Sequence, residues 1–364
     1  MATEAIAQLW LWDTGGSVFG RSVSQAEDSL PPLLSVVIVS FNSRHVLPHT
    51  LSALRRILPD AQVLVVDNGS EDGTDRLVST DFPDVTLVEN RRNNGFGAAA
   101  NLGAQSAGGL LVLFLNPDAL PVAGSTVELA RLSETTQVGL RACRIREVDG
   151  SEYFPRYRHW GWMRESIWSL AQAFVMPRQV AWARPRARES ADDGWVPGAA
   201  IIVRRDEFLS AGGFDPQYFM YFEDRDLSRR YRRAGLPVAA TDAVTLVHDG
   251  GASSTVLSTQ RLTWGQLGHL EYVSRWDSPR AAAHAARWCL AILSAIERVG
   301  RAVGPVPVVG PRGRRKAEAA RRVREDLLAF GAGTERADAS YRGAFEALRS
   351  TPAMERLLSQ QRGV

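Results

Sequence analysis

Three short runs in this chain carry side chains from which chemistry can be built. The first is Leu110–Leu120, LLVLFLNPDAL, an apolar stretch that stops abruptly at Asn116-Pro117-Asp118. A carboxylate at such a stop suits a divalent cation that itself holds phosphates. An ordinary turn is the alternative, since Asn, Pro and Asp all favour turns. The second run is Gly212–Leu227, where a Gly-Gly turn and an aromatic cluster deliver Glu223 and Asp224 to the start of a helix. Aromatic packing there excludes water and raises a carboxylate pKa toward that of a working base. Helix capping by acids, worth about 0.3–1 kcal/mol, is the alternative. It accounts for one acid, not for Glu223, Asp224 and Asp226 together. The third run puts His248 at a strand end before Asp249-Gly250-Gly251. It suits a metal or phosphate partner, although a lone histidine there is often structural.

These residues need elements to hold them. Leu110–Leu115 is short and bounded, so it is expected as a buried strand ended by Pro117, which has no N–H for a sheet. Leu33–Ser40 and Ala61–Val66 are further apolar strands, and Val85–Glu89 is a third. His45–Leu58, Thr74–Ser79 and Ala98–Ala107 are the helices between them. Strand and helix alternate four times, which predicts an α/β, mostly parallel sheet with right-handed crossovers. Parallel strands end on one edge. Ser40-Phe41-Asn42, Asp67-Asn68, Arg91–Asn94 and Asn116–Asp118 are therefore expected to converge there. Further on, Trp195–Val203 is a strand opened by Pro197-Gly198, and Val238–Thr241 and Val244–Val247 are short strands. Asp224–Ala234 is a helix.

Several classes of function are disfavoured. No GxxxxGK[ST] occurs, and no GxGxxG follows the first strand, so neither a P-loop nor a dehydrogenase-type dinucleotide site is expected. Asn94-Gly95-Phe96-Gly97 offers glycines for a close approach to phosphate, a weak signal alone. Cys143 and Cys289 lie far apart and form no zinc or disulfide framework, which fits a reducing cytosol. The N-terminus lacks the basic and apolar regions of a signal peptide. No apolar run reaches the roughly 20 residues that span a bilayer.

Charge is uneven. From residue 280 onward there are 16 Arg/Lys against 8 Asp/Glu, while the whole chain carries +3, so the first 279 residues are mildly acidic. Lys316 is the single lysine among 43 basic residues. A coding bias toward arginine explains this; anion binding, for which the guanidinium fork is suited, is compatible with it. The helices expected at Arg280–Arg301 and about Lys316–Phe330 are basic beside an apolar stretch and suit an anionic membrane surface. A solvated hairpin or a contact between copies in a homo-oligomer is the alternative. No nucleic-acid module accompanies the basic run. Tyr153–Trp182 mixes aromatics with arginines, as do surfaces that bind sugars, phosphates or a lipid boundary; a helical cover on the sheet is the alternative.

Taken in order, Val36–Asn42 (VVIVSFN), Asp67–Thr74 (DNGSEDGT), Asn93–Gly97 (NNGFG), Leu115–Asp118 (LNPD), Trp195–Ala199 (WVPGA), Gly212–Leu227 (GGFDPQYFMYFEDRDL) and His248–Ser253 (HDGGAS) resemble the family-2 inverting glycosyltransferases. The subgroup they resemble is that of bacterial rhamnosyltransferases acting on polyprenyl-diphosphate-linked sugars. The resemblance covers roughly Leu33 to Ser254. It implies the GT-A fold, a Rossmann-like, mostly parallel sheet flanked by helices, over residues 32–256. Within it, a nucleotide-binding half takes about 32–122 and an acceptor half about 123–256. Residues 1–31 are then an extension, and 257–364 a basic helical region.

The resemblance also implies roles. Ser40, Phe41, Asn42 and Asp67 would hold base and ribose, with Asn68, Arg91 and Asn94 near base, ribose and phosphates. Asn116 and Asp118 stand where the family has an Asp-x-Asp metal motif. Asp118 would then ligate Mg²⁺ or Mn²⁺, and His248 would add a metal or diphosphate contact. The first acid is Asn116 here, which weakens the protein's hold on the metal. Trp195, Pro197, Gly198 and Ala199, with Arg225, would border donor sugar and acceptor. Asp224 would be the general base, supported by Glu223. The implied donor is dTDP-L-rhamnose, with UDP-galactofuranose or a UDP-hexose as alternatives. The implied acceptor is a polyprenyl-diphosphate-linked glycan at the inner face of a bacterial membrane. A nucleotidyltransferase would want a basic, glycine-rich loop after the first strand, where Ser40-Phe41-Asn42 stands. A catalytically silent nucleotide-sugar-binding protein is the remaining alternative.

Overall fold

A computed structural model describes residues 32–146, 150–155, 157–159, 161–174, 194–248, 259–303 and 310–332. The first strands follow the apolar runs: β1 (Leu34–Ser40), β2 (Gln62–Asp67), β3 (Thr86–Glu89) and β4 (Leu111–Leu115). They lie side by side in parallel, in the order β3-β2-β1-β4. Successive strand residues point to opposite faces, and both faces of β1, β2 and β4 are covered, which is why those runs are mostly apolar rather than alternating, whereas edge strand β3 exposes Thr86 and Glu89. Val36, Ile38, Leu113 and Leu115 pack on one face beneath α1 (Leu47–Ile57) and α2 (Thr74–Asp81). Val37, Val66, Val112 and Phe114 pack on the other beneath α3 (Phe96–Ser106). The small residues of α3 bring it close to the sheet, where a Cβ on Gly103 would run into Val37. Burial of each large side chain of β4 contributes about 1.5–3 kcal/mol.

Beyond β4 the sheet departs from a simple parallel series. After Asn116-Pro117-Asp118 the chain enters β5 (Ala119–Gly124), followed by α4 (Thr126–Glu134) and β6 (Leu140–Arg146). β7 (Glu152–Tyr153) folds back on β6, and β8 (Tyr157–Arg158) pairs with β9 (Gly194–Trp195) in a separate ribbon. β10 (Ala200–Arg204) lies antiparallel to both β4 and β6. The two short strands expected between Val238 and Val247 are one strand, β11 (Val238–His248), parallel to β6 and antiparallel to β5. Its register shifts between Thr241 and Thr245, so the polar residues read as a break are a bulge instead. The parallel half is thus as expected and the second half is mixed.

Helices complete the architecture: α5 (Trp162–Phe174), the short α6 (Arg205–Ser210), α7 (Glu223–Arg233), α8 (Thr259–Trp276), α9 (Pro279–Ala302) and α10 (Gly310–Ala332). α5, α8, α9 and α10 share a second core of Leu170, Leu267, Leu270, Cys289, Leu293 and Leu327, which also takes Phe219 from the segment before α7. The C-terminal helical extension is therefore packed onto the chain that leads into Glu223. Gly300 and Gly313 let α9 and α10 approach closely, since a Cβ on either would meet the other helix. Residues 1–31 and the motif after His248 lie outside the described residues.

Candidate functional site

The strand-end loops meet at one edge, and hydrogen bonds knit them together. Ser40 and Asp67 are register partners, and the Asn68 N–H donates to the Ser40 carbonyl at 2.8 Å. Asp67 Oδ2 accepts from the Ser70 N–H (3.1 Å), and the Asn42 N–H donates to Ser70 Oγ (2.9 Å). Asn42 holds φ +52, a left-handed conformation that asparagine tolerates. Its Oδ1 accepts from the Glu71 N–H at 2.9 Å. The result is a hydrogen-bonded pair of loops with two buried polar atoms, Ser40 Oγ and Asp67 Oδ1, that have no partner among the described residues. Buried polar atoms are normally satisfied. These two, with Phe41 45% exposed beside them, fit a polar, flat ligand.

Asn68, by contrast, spends its amide on the scaffold. Its Nδ2 donates to Asn93 Oδ1 (2.8 Å) and to the Gly95 carbonyl (3.2 Å), and its Oδ1 accepts from Asn90 Nδ2 (2.7 Å). Asn94 joins the same network through Asn90 and is held by Arg92 Nε at 2.9 Å. Arg91 stands exposed on this loop. Gly95, at φ +87, has a specific reason to be glycine: a Cβ would strike the Phe219 carbonyl. That carbonyl accepts from the Phe96 N–H at 2.9 Å. The glycine motif thus docks the loop onto the segment before α7.

The Asn116–Asp118 turn is fixed from both sides. The Ala119 N–H donates to the Asn116 carbonyl at 3.1 Å, and Thr50 Oγ1 donates to the Pro117 carbonyl at 2.7 Å. Asp118 is half-buried in this turn. His248 pairs with Ala119 in the β5–β11 register, so its backbone lies opposite the residue that follows Asp118. Antiparallel pairing of β10 with β4 carries Ala199 past the end of β4, where the Asn116 N–H donates to its carbonyl at 3.0 Å. One residue earlier, the Gly198 N–H donates to Asp224 Oδ2 at 2.9 Å. Two hydrogen bonds therefore connect the turn bearing Asp118 with the carboxylate of Asp224.

Asp224 and Glu223 open α7 under strain. Tyr221 and Phe222 both have φ +71, a conformation that costs a bulky residue about 1–3 kcal/mol. Packing holds them there: the Phe222 ring lies 5.4 Å from that of His269 and 5.7 Å from that of Tyr272, and Tyr221 Oη accepts from Arg261 Nε at 2.8 Å. Glu223 is buried and its Oε2 has no partner among the described residues. Burial, and then the neighbouring charge of Asp224, push its carboxyl well above the usual range. Burial also raises Asp224, while Arg225 and the N–H groups of Gly198 and Arg225 pull it back. The arrangement favours one protonated and one ionisable carboxyl, a pair suited to accepting a proton.

The remaining acid of the run is structural. Asp226 is fully buried and held by Arg230 Nε (2.7 Å), Arg275 Nε (3.4 Å) and Trp276 Nε1 (2.9 Å). Trp195 is buried beneath the Arg225 guanidinium, whose carbon lies 4.3 Å from a Trp195 ring centre. Pro197, Gly198 and Ala199 are half-buried at the junction of the two halves. Thr50, Asn90 and Glu165 complete the framework without having been expected. Only the amide-rich run Asn90–Asn94 offered a sequence signal, because amides at spacing too short for a helix face read as a loop.

The profile of glycosyl transferase family 2 matches residues 35–190. An N-acetylglucosaminyl-diphospho-decaprenol L-rhamnosyltransferase of Mycobacterium tuberculosis is 32% identical over 233 residues, 59% of this chain and 76% of the relative, in both of two strains. The chain belongs to glycosyl transferase family 2. Another relative is the O-antigen biosynthesis protein RfbC of Myxococcus xanthus, 29% identical over 229 residues, 60% of this chain and 17% of that protein. A solved mannosyltransferase from Pyrobaculum calidifontis superposes with TM-score 0.44 at 17% identity, over 92% of this chain and 87% of that one. The architecture of this family-2 chain is the GT-A arrangement of a central α/β sheet flanked by helices, with a helical C-terminal region.

Proposed function

We propose that this family-2 glycosyltransferase moves L-rhamnose from dTDP-L-rhamnose to a hydroxyl of a polyprenyl-diphosphate-linked glycan, with inversion at the sugar carbon. The observation that carries the proposal is the hydrogen-bonded path Asp224–Gly198–Ala199–Asn116, which sets a carboxylate of raised pKa beside the strand edge. The decaprenol-linked acceptor and the rhamnose are taken from the mycobacterial relative's activity.

At the nucleotide end, Ser40 Oγ and Asp67 Oδ1 would meet the polar edge of base or ribose, with Phe41 beside the ring and Asn42 fixing the loop. Asn68 and Asn94 hold the cradle's shape, and exposed Arg91 is free to approach phosphate oxygens. At the other end, Asp224 takes the proton of the acceptor hydroxyl as that oxygen attacks. Glu223, protonated, limits the charge that must be buried beside it. Trp195 to Ala199, with Arg225 beneath, form the wall between donor sugar and acceptor. A single displacement needs no covalent nucleophile.

Among the described residues no three His, Cys, Asp or Glu side chains cluster as a metal site. Asp118 and the Asn116 amide are nonetheless hard oxygen donors, and Mg²⁺ or Mn²⁺ is commonly held by one or two carboxylates plus the substrate's phosphates. Asp118 would hold the ion jointly with the diphosphate, and His248 is proposed as a further contact. When bound, the ion would neutralise charge growing on the leaving diphosphate.

Among the described residues no helix is long and apolar enough to cross a membrane. The exposed Trp288 and Val299 of α9, flanked by Arg287 and Arg298, would suit contact with the anionic cytoplasmic membrane face that carries a lipid-linked acceptor. The deciding experiment is release of nucleoside diphosphate from a panel of dTDP- and UDP-sugars, with polyprenyl-diphospho-N-acetylglucosamine, with and without Mg²⁺ or Mn²⁺. Selective release from dTDP-L-rhamnose supports the proposal. Donor binding without release by any metal would favour a silent binding protein.

A further inference from the structure

The start of α7 is supported from behind by helices outside the strand-end motifs. Glu165, on α5, is 3% exposed, and its Oε1 lies 2.8 Å from Arg225 Nη1. The Arg225 guanidinium sits between two rings, 4.2 Å from the Phe222 centroid and 4.3 Å from that of Trp195. Two charges have thus been taken out of water one residue from Asp224. Burying an ion pair is seldom a gain in stability over apolar packing, so this one invites a role in the site.

The other charged groups around Asp224 can be accounted for in turn. On its own helix, burial and the Asp224 charge favour the protonated form of Glu223, and Asp226 is paired with Arg230 and Arg275. From α8 comes His269, whose Nε2 lies 2.8 Å from Ser166 Oγ, and from the segment before α5 comes His159. Burial drives these rings down to about 4 and about 3, so both are uncharged at neutral pH. Arg229 of the same helix lies against Tyr272 Oη at 3.3 Å, and the Arg225 charge, next to Asp224, favours its ionised form, opposed by the Glu165 carboxylate.

We propose that Glu165 is a positioning residue for the proton acceptor: by binding and partly neutralising Arg225, it keeps the guanidinium from closing on Asp224, which therefore stays basic. The inference rests on Asp224 being the proton acceptor. Without Glu165, an unpaired guanidinium lies one residue from that carboxylate, stabilises its charged form and lowers its affinity for a proton.

A substrate-free measurement tests this. The Asp224 carboxyl is followed by ¹³C NMR across pH in protein labelled at the aspartate carboxyl carbon, with the signal assigned by its loss in Asp224→Asn. Glu165→Gln is expected to lower the titration midpoint by about one unit. Arg225→Gln alone would leave the Glu165 charge buried without its Arg225 partner, so the double variant Glu165→Gln/Arg225→Gln is the second arm. It removes both charges, and its midpoint is expected above that of the wild type. Equal midpoints in all three proteins overturn the proposal and leave the pair a structural tie. The acid limb of kcat/KM with dTDP-L-rhamnose should move in the same directions. Midpoints that move while the acid limb stays put overturn the positioning role of Glu165 in the reaction. Absence of turnover in the wild type, with midpoints moving, instead removes the reading of Asp224 as proton acceptor, and the role of Glu165 falls with it.

Discussion

The two walls of the site are held in opposite ways. The wall proposed to hold the nucleotide is made of strand ends, and its loops are tied by pairs such as Asn42 with Ser70 and Glu71, 28 and 29 residues apart along the chain. Among its described residues, Asn42 is the non-glycine that takes a left-handed backbone. The wall bearing Asp224 is assembled from afar. Tyr221 and Phe222 are strained, and what holds them comes from α5 and α8, about 40 residues or more away along the chain. A wall that binds can be built from parallel register, because register alone delivers each loop to the same edge. A base of raised pKa needs water excluded from every side, and the strand ends cannot supply that cover alone.

The largest effect expected from breaking this contrast is at Asp224. Asp224→Asn should lower kcat by about 10²–10⁴-fold, the range lost with a positioned base, while the donor Kd measured by calorimetry stays within a few-fold. Equal losses in both would move Asp224 to the binding wall. The complementary change, Asp67→Ala, should raise the donor Kd by about tenfold or more, with a much smaller change in kcat at saturating donor. A kcat loss at saturation would show that the walls are not separable.

Gly95→Ala tests the junction between them. Positive φ and a clash with the Phe219 carbonyl predict destabilisation by about 1–3 kcal/mol, read as a lower Tm. Because Phe219 leads into α7, kcat should fall along with Tm; an unchanged kcat would uncouple the loop from the base.

A smaller, pH-dependent effect concerns Glu223. Its folded-state pKa lies above the unfolded value, so folding favours the protonated form. The associated stability is present at low pH and is lost as pH rises through the folded pKa. Tm of the wild type should therefore fall on going from mildly acidic to alkaline buffer. Glu223→Gln, with no proton to lose, should flatten that part of the curve. Parallel curves would place Glu223 in a wetter setting than its burial implies.

The apolar runs Leu34–Ser40 and Leu111–Leu115 were legible because strands buried on both faces must be apolar along their whole length. Asn116-Pro117-Asp118 and the Glu223-Asp224 pair stood out as polar groups next to apolar runs. β5 was not legible, because the turn residues before it hide a six-residue strand, Ala119–Gly124, that pairs with distant β11. Glu165 was not legible either: it is one acid on a helix, and only packing shows that it faces Arg225.

The sequence by itself determined that β1, β2 and β4 are buried strands, where they end, and so which of their side chains share an edge, because hydrophobic patterning and proline act locally. Only the tertiary structure decided that Gly198 donates to Asp224, that β10 runs antiparallel to β4 so that Ala199 meets Asn116, and that the helical extension covers the start of α7. These are contacts between residues far apart in the chain. Their energies depend on burial and approach, and no local pattern encodes either.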